Sequence, residues 1–108
     1  MSDRVWILLS TFETRDDALG VARAVVEDGL VACAQVEERP ITSVYRWEGA
    51  VHEDPEILLR SKTTDGARER AIARLDALHP YDVPQIVCFA ADATPAYAAW
   101  ARTQCGDG

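Results

Sequence analysis

The sequence has little with which to build a metal centre, bridge itself covalently or enter a membrane. It contains two histidines and three cysteines in 108 residues. Cys33, Cys88 and Cys105 are widely spaced and form no CxxC pair, which excludes a zinc knuckle and a thioredoxin-type redox motif. Cys33 and Cys88 lie inside apolar runs and are expected to be small buried hydrophobes in a reducing cytosol. Cys105 stands beside a glycine near the end of the chain and is expected to be exposed. No apolar run approaches the ~18 residues of a membrane span. The stretch Val5–Leu9 is too short for a signal peptide and follows an acidic residue. A cytoplasmic protein without a membrane partner is therefore expected. Basic residues are also scarce: 11 Lys and Arg stand against 18 Asp and Glu, a net charge of −7. That balance disfavours a nucleic-acid partner, which needs a cationic face. There is no glycine-rich phosphate loop, HExxH, EF-hand loop or Ser-His-Asp order, so no enzyme is indicated.

What is present suits one globular domain over residues 1–108, with 48% apolar and 27% charged residues. Residues 4–11 form a nearly continuous apolar run with strand formers Val5, Trp6 and Ile7. Thr14 with Asp17 marks a helix start, and Ala18, Val21, Ala22, Val25 and Val26 form one apolar stripe. With Gly29 as its stop, the first helix is expected over 14–28. Residues 30–48 read as a long strand region that Pro40 interrupts. A turn at Gly49-Ala50 leads into a strand over 51–62 that carries a second proline, Pro55. Prolines on both arms imply a hairpin that bends or lies exposed. A second helix is expected over 64–78, with Ala67, Ala71, Ile72, Leu75 and Leu78 as its apolar stripe. Pro80 ends it, a strand follows over 85–92, and Thr94-Pro95 opens a last helix over 95–104.

The order is βαββαβ plus a C-terminal helix, an α+β ferredoxin-like sandwich with two helices on one face of a four-stranded antiparallel sheet. The strands carry apolar residues on both faces, so part of the second face needs a partner. Self-association is the simplest way to cover it.

Ala32-Cys33-Ala34, Tyr45-Arg46-Trp47-Glu48-Gly49, Glu56-Ile57-Leu58-Leu59, Lys62-Thr63, His79-Pro80-Tyr81 with Pro84, and Tyr97 with Trp100 run in order along nearly the whole chain. In this combination the chain resembles the CutA family, the divalent-cation tolerance proteins. The resemblance implies a PII-like homotrimer in which the hairpin reaches across to neighbouring copies and extends their sheets. It implies a non-enzymatic association with divalent-metal tolerance, with Cu²⁺ or another divalent cation as a ligand. Some bacterial members carry a cysteine in the first strand and a histidine before His-Pro, where this chain has Ser10 and Leu78.

Three roles are open to His79: a helix-ending hinge with local hydrogen bonds, a metal contact completed by Asp82 or a neighbour's Glu48, and an acid–base group. His52, Asp54 and Glu56 alternate onto one strand face, either as a weak cation site or as a solvated arm. Tyr45 and Trp47 also share a face, and they are expected with Trp100 at the trimer interface. Glu48, Lys62 and Tyr81 are expected at a ligand cleft between copies. For Lys62 the alternative is an ion pair with Glu48 or Glu56.

Overall fold

The computed structural model describes residues 3–106. Its elements are β1 (Arg4–Phe12), α1 (Arg15–Glu27), β2 (Cys33–Val36), β3 (Ile41–Trp47), β4 (Ala50–Thr63), α2 (Arg68–Leu78), β5 (Ile86–Asp92) and α3 (Pro95–Gln104). The sheet runs β2-β4-β1-β5, with β3 paired to the far half of β4, and every pairing is antiparallel. This is the ferredoxin-like order. Pro40 does what its chemistry requires: it divides the expected second strand into β2 and β3, giving five strands.

Local signals account for most boundaries. The Thr14 hydroxyl accepts the Asp17 N–H at 3.1 Å and caps α1, with Asp16 and Asp17 at the positive end of its dipole. Thr94 caps α3 in the same way, and Pro95 occupies the first turn. The second helix starts four residues later than the sequence suggests. Asp65 is drawn away by the Trp6 indole and the Arg4 guanidinium, so residues 65–67 form a turn before Arg68. Arg68 in turn lies 4.1 Å over the Trp6 ring. These contacts hold the Asp65 carboxyl below its ordinary pKa, the Trp6 hydrogen bond first among them.

Alternation decides which sheet face is core. Leu8, Phe12, Ile57 and Leu59 point to α1 and α2 and are 0–5% exposed. They meet Ala18, Val21, Val25, Ala71 and Leu75 from the helices. The opposite face is divided. At one end α3 seals Val5 with Ala101 and Cys105. Cys105 is therefore buried, contrary to expectation, because it caps α3 against Val5, Ala32 and Ala67. Cys33 and Cys88 are only half-buried, because β2 and β5 are the sheet's edge strands.

Among the described residues, nothing covers the rest of that face. Register sets Ile7 beside Phe89 and Leu9 beside Val87, with Lys62 and Arg60 on the next strand. Phe89 is 44% exposed and Val87 48%. The β3–β4 hairpin projects from the body. β1 pairs with β4 only from Ile57 onward, and β3 is the strand that flanks residues 50–56. Pro55 lies two residues before that junction, where β4 has lost a neighbour and a missing N–H costs nothing. The cantilever makes the molecule 46 × 24 × 24 Å, with a radius of gyration of 14.4 Å. A compact domain of this length has about 13 Å.

The hairpin turn falls one residue earlier than expected. Glu48 and Gly49 both have positive φ, 49° and 81°, as a two-residue hairpin loop of matching twist demands. Glycine adopts this freely, whereas Glu48 bears some strain.

Candidate functional site

An open groove of about 950 Å³ lies between the hairpin and the loop after α2. Its walls carry residues singled out from sequence, Tyr45, Trp47 and Tyr81 among them. Asp54 and Glu56 join them from β4, Glu13 from the end of β1, and Asp82 from the loop. Strand alternation explains the hairpin wall. Tyr45 faces His52, and Ser43 faces Asp54, on one surface of the ribbon. The Tyr45 hydroxyl donates to Asp54 Oδ2 at 2.8 Å, and its ring stacks on His52 at 5.5 Å. Hydrogen bonding to the Asp54 carboxylate raises the Tyr45 pKa.

His79 lies beneath this groove. It is 7% exposed and stacked on Phe12 with ring centroids 4.2 Å apart. Its Nε2 is 2.8 Å from the Thr11 carbonyl oxygen, and its Nδ1 is 3.2 Å from the Tyr81 backbone nitrogen. A carbonyl only accepts and an amide only donates, so this is the neutral Nε2–H tautomer with its Nδ1 lone pair engaged. Both ring nitrogens serve the backbone. A metal ligand needs a lone pair, and within one chain His79 has none facing an opening. His79 thus closes α2 and launches the loop to β5, with its own N–H bonded to the Leu75 carbonyl.

Burial pushes the His79 pKa below 6.5, against the Thr11 carbonyl and the carboxylates of Glu56, Asp76 and Asp17. The unfolded chain therefore takes up this proton first. The stabilising contribution is complete above about pH 6.5 and is lost as pH falls through that value toward the folded-state pKa. Urea unfolding at about pH 7.5 and about pH 5 should show a fall in stability that His79→Gln reduces. Equal falls in both proteins would contradict the burial argument.

Tyr81 stands over His79 at 4.7 Å, tilted, and its hydroxyl donates to Glu56 Oε2 at 2.9 Å. Burial, reinforced by Glu56, raises the phenol pKa well above its ordinary value. The Tyr81–Glu56 bond joins loop to hairpin, and the sequence reading missed it.

The other predicted residues are elsewhere. Glu48 is at the hairpin tip. Lys62 is at the far end of β4, roughly 40 Å along the strand. Its Nζ donates to Gln35 rather than to Glu48 or Glu56, so the expected ion pair does not form within the chain. The expected Glu48–Lys62–Tyr81 cleft is not assembled by one copy. Trp100 is 44% exposed on α3 and leans on Tyr97 at 5.5 Å, away from the groove. Ser10 is buried on the helix face at 1% exposure, in the core. Among the described residues, no three His, Cys, Asp or Glu side chains are grouped to hold a metal ion. No helix among them is long and apolar enough to cross a membrane.

Comparison with known proteins gives a consistent result. The family described as CutA1 divalent ion tolerance protein matches residues 6–104. The divalent-cation tolerance protein CutA of Thermus thermophilus is 41% identical over 101 residues, covering 93% of this chain and 97% of that protein. A solved structure of the Thermus thermophilus protein superposes with a TM-score of 0.86 at 40% identity, over 93% of this chain and 97% of that one. CutA1 of Ehrlichia chaffeensis superposes with a TM-score of 0.87 at 31% identity, over 94% of both chains.

Proposed function

Because the chain belongs to the CutA1 divalent ion tolerance family, we propose that it works as a cytoplasmic homotrimer that binds a divalent cation, Cu²⁺ among them, at clefts between copies, without catalytic turnover. The observation that carries the assembly is the unfinished surface. Leu9, Val87 and Phe89 form an apolar field on a sheet face that α3 covers only at its other end, where Ile7 packs against the α3 cluster. A hairpin bearing exposed Val44, Tyr45, Trp47 and Val51 projects beside the body. Three copies joined edge to edge close both at once. The cation reading rests on the divalent-ion description of the family and on the carboxylates of Glu13, Asp54, Glu56 and Asp82 around the groove. With no three-ligand cluster in one chain among the described residues, neighbouring copies would complete the ligand set, Glu48 of an adjoining hairpin included, while the Lys62 ammonium, which has no lone pair, would face an anionic group in the cleft. None of the three cysteines forms a disulfide, which suits a reducing compartment.

A second reading, a PII-like or structural scaffold without a metal site, has its own support: both His79 nitrogens are engaged by backbone. Calorimetry with Cu²⁺ on tag-free protein separates the two. The cation reading predicts saturable heat at a fixed ratio to chains, and loss of that heat in His79→Ala would place His79 in the ligand set. No saturable heat from a sedimenting trimer leaves the scaffold.

A further inference from the structure

The hairpin needs a fixed exit angle if it is to meet a neighbour, and a two-stranded ribbon does not hold one by itself. Such ribbons are marginal when isolated. Here β3 pairs with residues 50–56 of β4, while β1 begins its pairing at Ile57. The ribbon therefore meets the body through β4 and the short 37–40 link from β2, where the Glu37 N–H reaches the Leu58 carbonyl, while the other edge of β4 has no strand partner before Ile57. At that junction stands Glu56, the last residue of β4 paired to β3. Its carboxylate receives the Tyr81 hydroxyl at 2.9 Å.

Tyr81 is itself immobilised. Its backbone N–H is fixed on His79 Nδ1, its ring lies against the imidazole, and the imidazole is stacked on Phe12 and bonded to the Thr11 carbonyl. Phe12 is the residue of β1 that pairs with Ile57. A closed path thus runs from the junction into the core and back: Ile57, Phe12, His79, Tyr81, Glu56. We propose that Tyr81 is a clasp that sets the direction of the hairpin, so that the order of the HPY segment is transmitted to the assembly surface through one phenol–carboxylate bond. The part concerning assembly rests on the trimer reading above; the clasp itself does not.

The test is amide hydrogen exchange on the full chain, with sedimentation of the same samples. Tyr81→Phe keeps the ring on His79 and removes only the hydroxyl. It should accelerate exchange in residues 41–56 by roughly tenfold, the equivalent of one charge-assisted hydrogen bond. Exchange in β1 and β5 should stay within about twofold of the parent. Glu56→Gln should act in the same sense from the other side, and the double variant should exchange no faster than the faster single variant. The trimer's dissociation midpoint should move to higher concentration in the same variants. Unchanged exchange at 41–56 would overturn the clasp, as would uniform acceleration across the sheet. If the parent chain sediments as a single copy, the trimer reading falls while the exchange result still decides the clasp.

Discussion

Phe89→Asp should convert the proposed trimer into a folded single chain. Phe89 sits on β5 opposite Ile7, in the part of the sheet that α3 leaves open. It is 44% exposed in one copy, so replacing it costs that copy little, about 1 kcal/mol with the loss of strand preference. In the proposed assembly its value is larger. Burying an aromatic against a neighbour contributes about 1.5–3 kcal/mol, and an unpaired carboxylate there adds a desolvation penalty of several kcal/mol. A trimer carries the change three times, which brings the loss to on the order of 10 kcal/mol. That exceeds what micromolar association can absorb, since each ~1.4 kcal/mol is tenfold. Circular dichroism should remain that of the parent while sedimentation falls to one chain. A variant that keeps the trimer would show that this face points to solvent.

Phe12→Ala should have the largest effect on the fold itself. Phe12 is 0% exposed, and its ring carries the His79 imidazole at 4.2 Å. Truncating a buried phenylalanine costs about 3–5 kcal/mol, partly transfer and partly cavity. Set against the 5–15 kcal/mol typical of a domain this size, that is a large fraction of the total. Urea denaturation should show the loss. Phe12→Leu, which keeps most of the volume, should lose about 1–2 kcal/mol. A loss below about 1 kcal/mol for Phe12→Ala would mean that the ring is not packed as described. The His79 bonds should weaken in the same variant, and the acid-dependent part of stability should shrink with them.

Local chemistry made much of the fold legible. Thr14-x-x-Asp17 and Thr94-Pro95 marked their helix starts, and Pro40 marked the break between β2 and β3. What escaped depended on contacts distant in sequence. Asp65 was read as part of a helix because nothing near it reveals that Trp6 and Arg4, about sixty residues away, would claim its carboxylate. Cys105 was read from its glycine neighbour, and it is α3 docking on Val5 that buries it. The turn was misplaced because Glu48 is an unusual residue for positive φ. The preference for Gly at the second turn position could have located it.

The site was less legible for the same reason. Tyr45, Trp47 and Tyr81 share one groove, whereas the sequence set Tyr45 and Trp47 at an interface and Tyr81 at a separate cleft. The Tyr81–Glu56 bond spans 25 residues, and no motif encodes it. Glu48 and Lys62 were grouped by charge type, yet one β-strand holds them at opposite ends of the molecule. Any cleft that unites them is a property of several chains.

Velocity sedimentation of the parent protein at micromolar concentration, in moderate salt, tests the central claim most directly. A single boundary with the mass of three chains is the predicted result, because in the proposed assembly neighbours cover Phe89, Val87 and the projecting hairpin. A well-folded, monodisperse species with the mass of one chain would contradict it.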